Sequence, residues 1–273
     1  MTMYRMIAID MDDTLLTDDL TITPGTSDAI KQAIEAGVVV TLATGRMFPS
    51  ALPFASQLEL NVPLVTYQGA IVKDTKGETV MYERLVTPDI SRRVIDIART
   101  KNIHLQVYQD DILYSPEDND KIRQYVKIAG VPYTVESDLH RLAERDCIKL
   151  LYFDEPKVLD ELAEELRAEF GETAHITKSK PYFLEVMHPE ANKGSAVLHF
   201  AKTLGIDRSE IIGIGDSYND LDLIETAGLG VAMGNAPEAI KQIADYITFS
   251  NNEEGVRHVI EKFVLQKESN IKC

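Results

Sequence analysis

Continuous apolar runs separated by helical stretches form the first part of the chain. The run that begins at Met6 predicts a buried strand, and residues 38–43 and 63–67 predict two more. Residues 28–35 place apolar side chains on one helical face, and Gly37 follows as a stop signal. Because strands buried on both faces show unbroken apolar runs, this pattern predicts a parallel sheet covered by helices.

The pattern changes near Tyr82 and returns near Asn192. The intervening stretch combines amphipathic helices with short alternating strands, which predicts antiparallel pairing. We therefore predict an α/β fold, with a Rossmann-like parallel-sheet core interrupted by an inserted α+β domain. The predicted core comprises residues 1–82 and 188–273, and the insert comprises residues 83–187.

Composition narrows the functional classes. Apolar residues make up 44% and charged residues 26% of the 273 positions, as in ordinary soluble globular proteins. The net charge of −16 argues against nucleic acid or an anionic membrane as a partner. Two cysteines give no disulfide framework, and no long apolar segment indicates a signal peptide or a membrane span. We expect a cytoplasmic protein.

The first strand ends in an acidic stretch, Asp10-Met11-Asp12-Asp13, followed by Thr14. A buried carboxylate costs several kcal/mol unless it is paired or bound to a cation. Side chains two residues apart share one side of an extended chain, so Asp10 and Asp12 are expected to repel each other. Such a pair favours a divalent cation or a shared proton. An acidic surface turn is an equally good interpretation of these residues alone.

Polar clusters also follow other predicted strands or precede a helix. Because the carboxyl ends of parallel strands lie along one edge of a sheet, clusters that are distant in sequence are expected to meet there. Together they offer the carboxylates, hydroxyl and fixed cation that phosphoryl transfer needs. The clusters are Asp10 with Asp12, Thr44-Gly45-Arg46, Lys193, and Asp216 with Asn219 and Asp220.

Taken in order, these residues resemble the motifs of the haloacid dehalogenase superfamily of phosphatases. The segments Thr44-Gly45-Arg46 and Asn192-Lys193-Gly194, with the insert between them, resemble its Cof-type branch, subfamily IIB. The resemblance covers nearly the whole chain. It implies that the insert is a cap that closes over the active site. It also implies that the enzyme hydrolyses small phosphorylated metabolites, often sugar phosphates.

The resemblance also implies a role for each matching residue. Asp10 would attack phosphorus, and Asp12 would protonate the leaving oxygen and then activate water. Mg²⁺ would bind the side chains of Asp10 and Asp216 and the main-chain carbonyl of Asp12. Asp220 would support the site from behind these ligands, and Arg46 would contact the substrate or balance the acidic loop. The residues that would bind phosphate are Met11 and Gly45 through their amides, Thr44, Lys193 and Asn219.

The chain departs from the family pattern at two positions. Asp13 stands where the family often carries glycine, and aspartate tolerates left-handed backbone better than most residues. Gln68 stands where the family usually has asparagine, so no substrate contact is carried over to that position.

Each residue also has a simpler structural interpretation. Taken alone, Lys193 resembles a surface lysine at a helix start, and Thr44-Gly45 resembles a strand-ending turn. Asp216 and Asp220 could cap a helix. Cys147 is interpreted as a core residue, not as a nucleophile.

Several rival functions share this chemistry. A receiver-type signalling module uses an acidic pair, threonine and lysine, but Asp12 as a second-step base argues against it. A binding protein without turnover and a phosphomutase on the same scaffold remain alternatives. The sequence names neither the substrate nor the oligomeric state.

Overall fold

The computed structural model describes residues 4–267, which form two compact units. The first unit comprises the chain up to Gly45, Ala51–Tyr82 and the part from Asn192 onward. The second unit comprises Arg46–Ser50 and Glu83–Ala191. The predicted boundaries fall at 82/83 and 187/188, so the second unit differs from the predicted insert by a short early segment and by residues 188–191. The role of the insert as a cap stays a prediction.

A five-stranded sheet in the order β14-β13-β12-β1-β2, with every pair parallel, forms the centre of the first unit. All residues of β1 and β12 are buried, as their unbroken apolar sequences predict. The predicted α/β class is confirmed. The strands are β1 (Met6–Ile9), β2 (Val39–Leu42), β12 (Ile211–Gly215), β13 (Leu229–Ala232) and β14 (Tyr246–Ile247). The helices are α1 (Pro24–Glu35), α2 (Phe48–Gln57), α6 (Lys193–Thr203), α7 (Leu221–Thr226), α8 (Glu238–Ile243) and α9 (Gly255–Phe263).

The third predicted strand takes a different place from the one expected. β3 (Leu64–Thr66) pairs antiparallel with β4 (Ile71–Lys73), in a separate three-stranded sheet with β5 (Val80–Glu83). An isolated parallel bridge between Ala43 and Val65 joins it to the chain after β2. A tight reversal directly after β3 returns the chain alongside that strand and accounts for the antiparallel pairing with β4.

The second unit contains a mostly antiparallel six-stranded sheet in the order β10-β11-β9-β6-β7-β8. Alternate residues such as Leu105, Leu150 and Leu184 belong to one apolar core with side chains from α3 and α5. The helices are α3 (Pro88–Lys101), α4 (Asp120–Ala129) and α5 (Pro156–Phe170). The strands are β6 (His104–Gln109), β7 (Ile112–Ser115), β8 (Tyr133–Val135), β9 (Lys149–Phe153), β10 (His175–Lys180) and β11 (Phe183–Met187).

Across residues 4–267, no helix is both long enough and apolar enough to cross a membrane.

Candidate active site

The register of three neighbouring strands brings the first polar residues together. Ile9 of β1 pairs with Ile214 of β12 and Leu42 of β2. The backbone N–H of Asp10 donates to the carbonyl of Ile214 at 3.0 Å, and that of Ala43 donates to the carbonyl of Ile9 at 2.8 Å. The residues that follow each strand therefore leave the sheet at the same edge, as the parallel arrangement predicts.

Lys193 is the first residue of α6, after the N-cap Asn192, whose side chain accepts from the backbone N–H of Ser195. Its side chain is fully buried. The ammonium donates to Asp10 Oδ1 at 2.5 Å and to Asp220 Oδ1 at 2.6 Å. The interpretation of Lys193 as a surface lysine is therefore wrong. Its ammonium links Asp10, which follows β1, to Asp220, which lies in the segment after β12.

Asp220 binds backbone as well as Lys193. Its Oδ2 accepts from the backbone N–H groups of Asp216 and Ser217, each at 3.0 Å. The bond from the Ser217 N–H is one half of a capping box between Ser217 and Asp220. The interpretation that Asp220 caps a helix is therefore correct. A Cβ on Gly215 would lie 2.4 Å from the Cβ of Asp220, so only glycine allows this close approach. Asp220 thus fixes both the loop after β12 and the ammonium of Lys193.

Asp216 completes an acidic cluster. Its Oδ1 accepts from the hydroxyl of Thr14 at 2.9 Å. One carboxylate oxygen from each of Asp10, Asp216 and Asp220 lies within 4.8 Å of the others. Oxygen ligands of this kind suit a hard divalent cation such as Mg²⁺. Because both oxygens of Asp220 already accept hydrogen bonds, Asp10 and Asp216 are the better direct ligands.

The electrostatics of the cluster indicate a deficit of positive charge. Burial and then the charge of Asp220 raise the pKa of Asp10 well above its usual value. The same two causes raise the pKa of Asp216 to about 7. Burial by itself would lower the pKa of Lys193, but Asp10 and Asp220 together raise it. A divalent cation would supply the missing charge, so these residues fit a metal site.

The remaining predicted site residues follow β1 and β2 in the sequence, and their roles stay predictions. Met11 is fully buried, whereas Asp12 is half-buried in extended backbone, with φ −70° and ψ 131°. Thr44 is buried, and its backbone N–H donates to the carbonyl of Val65 at 2.9 Å. Gly45 ends one segment of the first unit, and Arg46 begins a segment of the second.

Sequence reasoning missed three contacts around the site. Besides the Thr14 hydroxyl on Asp216, the amide nitrogen of Asn219 donates to Gln68 Oε1 at 3.2 Å. The amide nitrogen of Asn235 donates to the carbonyl of Asp13 at 2.8 Å, where Asp13 takes a positive φ of 59°. The positions of Thr14 and Gln68 after strands were visible in the sequence, but their partners were not.

Comparison with known proteins gives consistent matches along the chain. Residues 7–260 match the profile of the haloacid dehalogenase-like hydrolases. An HMP-PP phosphatase of Serratia proteamaculans is 31% identical over 268 residues, which cover 96% of each chain. A 5-amino-6-(5-phospho-D-ribitylamino)uracil phosphatase of Bacillus subtilis is 32% identical over 263 residues, again 96% of each chain.

A solved structure supports the same relationship. The X-ray structure of a Thermotoga maritima protein superposes with a TM-score of 0.87 at 36% identity, over 95% of this chain and 97% of that one. The resemblance inferred from the motifs and the predicted class, a phosphatase, are confirmed.

Proposed function

Because the chain belongs to the haloacid dehalogenase-like hydrolases, we propose that it is a Mg²⁺-dependent phosphatase acting through an aspartyl-phosphate. Its proposed substrates are small phosphorylated metabolites, sugar phosphates above all. The observation that carries the proposal is the buried Lys193 ammonium, hydrogen-bonded to Asp10 beside two further carboxylates. This arrangement combines an oriented carboxylate with a fixed cation and a site for a second cation.

In the proposed first step, an oxygen of Asp10 forms a bond to phosphorus while the bond to the leaving oxygen breaks. Asp12 gives its proton to that leaving oxygen. In the second step Asp12 takes a proton from water, the water oxygen attacks phosphorus, and Asp10 is released as a carboxylate with inorganic phosphate. Lys193 holds Oδ1 of Asp10 at 2.5 Å and thereby orients the carboxylate for both steps.

The phosphoryl oxygens need positive charge and N–H or O–H donors around them. We assign this role to Lys193, Thr44, Asn219 and the amides of Met11 and Gly45. Mg²⁺ held by Asp10, Asp216 and the main-chain carbonyl of Asp12 would neutralise and orient the phosphoryl group. Asp220 keeps Lys193 in place through its hydrogen bond of 2.6 Å.

The proposed substrate class is supported by the relatives and by the charge. The Bacillus relative is named for a phosphorylated ribityl compound, which is a sugar-alcohol phosphate. The net charge of −16 disfavours phosphorylated nucleic acid chains. Arg46 is the proposed contact to the substrate beyond the phosphate, and the cytoplasm is the proposed location.

Phosphate release from sugar phosphates, nucleotides and p-nitrophenyl phosphate tests the proposal. We expect release by the wild type only with Mg²⁺, and a loss of at least about 10³-fold in Asp10→Asn, which lacks the nucleophile. Asp19→Asn, at an exposed aspartate of the same loop, is the matched control and should retain activity. Release that does not need Mg²⁺, or that survives in Asp10→Asn, contradicts the mechanism. Phosphoryl transfer within the substrate without release of phosphate would indicate a phosphomutase.

A further inference from the structure

The reversal after β3 has an unusual backbone. Tyr67, Gln68 and Gly69 have consecutive positive φ angles of 52°, 57° and 87°. For residues other than glycine, this left-handed conformation is energetically unfavourable. Tyr67 is fully buried, and Gln68 is 9% exposed. A strained and buried turn persists only where its surroundings determine it, and strain of this kind clusters at functional sites.

The turn contacts two of the segments that carry the proposed phosphate-binding residues. The backbone N–H of Gln68 donates to the carbonyl of Thr44 at 3.0 Å. A Cβ on Gly69 would lie 2.1 Å from the carbonyl oxygen of Asn192, directly before Lys193. The turn therefore packs against the strand end that carries Thr44 and against the start of the helix that carries Lys193.

The side chain of Gln68 reaches a third segment. Its Oε1 accepts from Nδ2 of Asn219 at 3.2 Å. Its Nε2 lies next to Gly45, because a Cβ added to Gly45 would lie only 2.4 Å from this nitrogen. Asn219 is exposed and would otherwise rotate, whereas Gln68 is held by a buried turn.

We propose that Gln68 is a positioning residue that fixes the amide of Asn219 so that one of its N–H groups is available to phosphate. The amide nitrogen carries two hydrogens, and Gln68 accepts one of them, which leaves the second to donate. The reverse orientation would place the oxygen of Asn219 against Oε1 of Gln68 and is disfavoured. This inference rests on the proposed function, since Asn219 is assigned to phosphate there.

The length of the side chain matters for this contact. Asparagine at position 68 would be one methylene shorter and would withdraw the acceptor beyond hydrogen-bond distance from Asn219, which is 3.2 Å away in the wild type. The glutamine that departs from the family pattern is thus the residue that makes this contact possible.

A double-mutant cycle tests the coupling. Gln68→Met keeps the shape of the side chain and removes the acceptor, and Asn219→Ala removes the amide. We expect Gln68→Met to lower kcat/KM by about 3- to 10-fold, mainly through KM, as loss of one neutral hydrogen bond implies. In the Asn219→Ala background the same change should have no further effect. Gln57→Met, at an exposed glutamine, is the control and should match the wild type.

Equal effects of Gln68→Met in both backgrounds, or wild-type kinetics for the single variant, would overturn the proposal. Gln68→Asn should behave like Gln68→Met, because it also loses the contact. If Gln68 had a purely structural role, kcat and KM would change together with the melting temperature. The effects of Gln68→Met and Asn219→Ala on kcat/KM would then be additive.

Nuclear magnetic resonance of the wild type gives a readout that needs neither a variant nor activity. One of the two amide protons of Asn219 should exchange with water more slowly than the other, because it is bonded to Gln68. Equal and fast exchange of both protons would contradict the positioning role. If no substrate releases phosphate, the proposed function fails, while this measurement still decides whether Gln68 holds Asn219.

Discussion

Each unit of the molecule buries a lysine with carboxylates, but the two sites differ in charge balance. In the second unit, Lys149 Nζ lies 3.1 Å from Glu185 Oε1, with both side chains only 3% exposed. The ammonium also lies over the ring of Tyr108, 4.8 Å from its centroid. In the first unit, Lys193 donates hydrogen bonds to the carboxylates of Asp10 and Asp220, and Asp216 belongs to the same cluster.

The difference distinguishes a balanced ion pair from a carboxylate cluster that could bind a metal ion. One ammonium and one carboxylate compensate each other, and burial and the charge of Glu185 act in opposite directions on the pKa of Lys149, with a net rise. One ammonium against three carboxylates would leave a surplus of negative charge in a buried place if all three were ionised, which is why the pKa values of Asp10 and Asp216 are raised. Buried groups with strongly perturbed pKa values cluster at binding and catalytic sites.

The largest effect is expected when Lys193 becomes Met. This change leaves Asp10 and Asp220 without their cation, which should destabilise the protein by about 3–5 kcal/mol. It should also lower kcat/KM by about 10³-fold, because a fixed donor to the phosphoryl group is lost. Denaturation and phosphate release measure the two effects. Lys202→Met, at an exposed lysine of the same helix, should change neither, and activity within tenfold of the wild type in Lys193→Met would refute the assignment.

The balanced pair should respond differently. Lys149→Met and Glu185→Leu each leave one buried charge alone and should cost about 3–5 kcal/mol, measured by chemical denaturation. The double variant should be close to the wild type, because no charge remains. Among the described residues, Oε2 of Glu185 has no hydrogen-bond partner, so its removal ends an existing cost. A double variant as unstable as the sum of the two would show that this pair is not simply structural.

The acidic cluster of the first unit could be predicted from the sequence. Unbroken apolar runs identify β1 and β12, and each ends directly in acidic residues. Parallel strands place those ends together, so Asp10 and Asp216 were expected at one edge. Lys193 was predicted as a site residue from its place in the order of motifs, since its local sequence resembles any helix start.

Contacts between side chains on different segments were not predictable in this way. The partner of Gln68 depends on three consecutive left-handed residues, of which only Gly69 is signalled by composition. The same reversal pairs β3 with β4, although the apolar run of β3 resembles those of β1 and β2. Lys149 and Glu185 are 36 positions apart and meet through β9 and β11, whose pairing register no local pattern reports.

A third prediction concerns pH and the second unit. Burial, and next the charge of Lys121, lower the pKa of His104 to about 4. Since the unfolded value is about 6.5, the unfolded chain binds more protons between these values, and stability is lost as pH falls from about 6.5 to about 4. The loss should be about 2 kcal/mol between pH 7 and pH 4.5 and should be absent in His104→Gln. Denaturation at pH 4.5 and 7 measures it, with the exposed His175→Gln as control. An unchanged slope in His104→Gln would assign the pH dependence to other groups.

The smallest expected effect concerns Thr14, whose hydroxyl contacts one carboxylate of the acidic cluster. The hydroxyl of Thr14 donates to Asp216 Oδ1 at 2.9 Å and lowers the pKa of that carboxyl against the larger effect of burial. Thr14→Val keeps the shape and removes the donor, so the charged form of Asp216 loses support. Removing such a contact behind a metal ligand typically weakens metal binding by about tenfold.

We therefore expect Thr14→Val to need about tenfold more Mg²⁺ for half-maximal thermal stabilisation. Thr14→Ser keeps the hydroxyl and should restore the wild-type midpoint. Lys149→Met/Glu185→Leu should leave the Mg²⁺ midpoint unchanged, because the balanced pair lacks the surplus charge that attracts a cation. If Thr14→Val and Thr14→Ser gave the same midpoint, the hydroxyl would have no part in tuning Asp216. If Mg²⁺ stabilised none of these proteins, the surplus of charge in the first unit would have to be neutralised by protons instead of a metal ion.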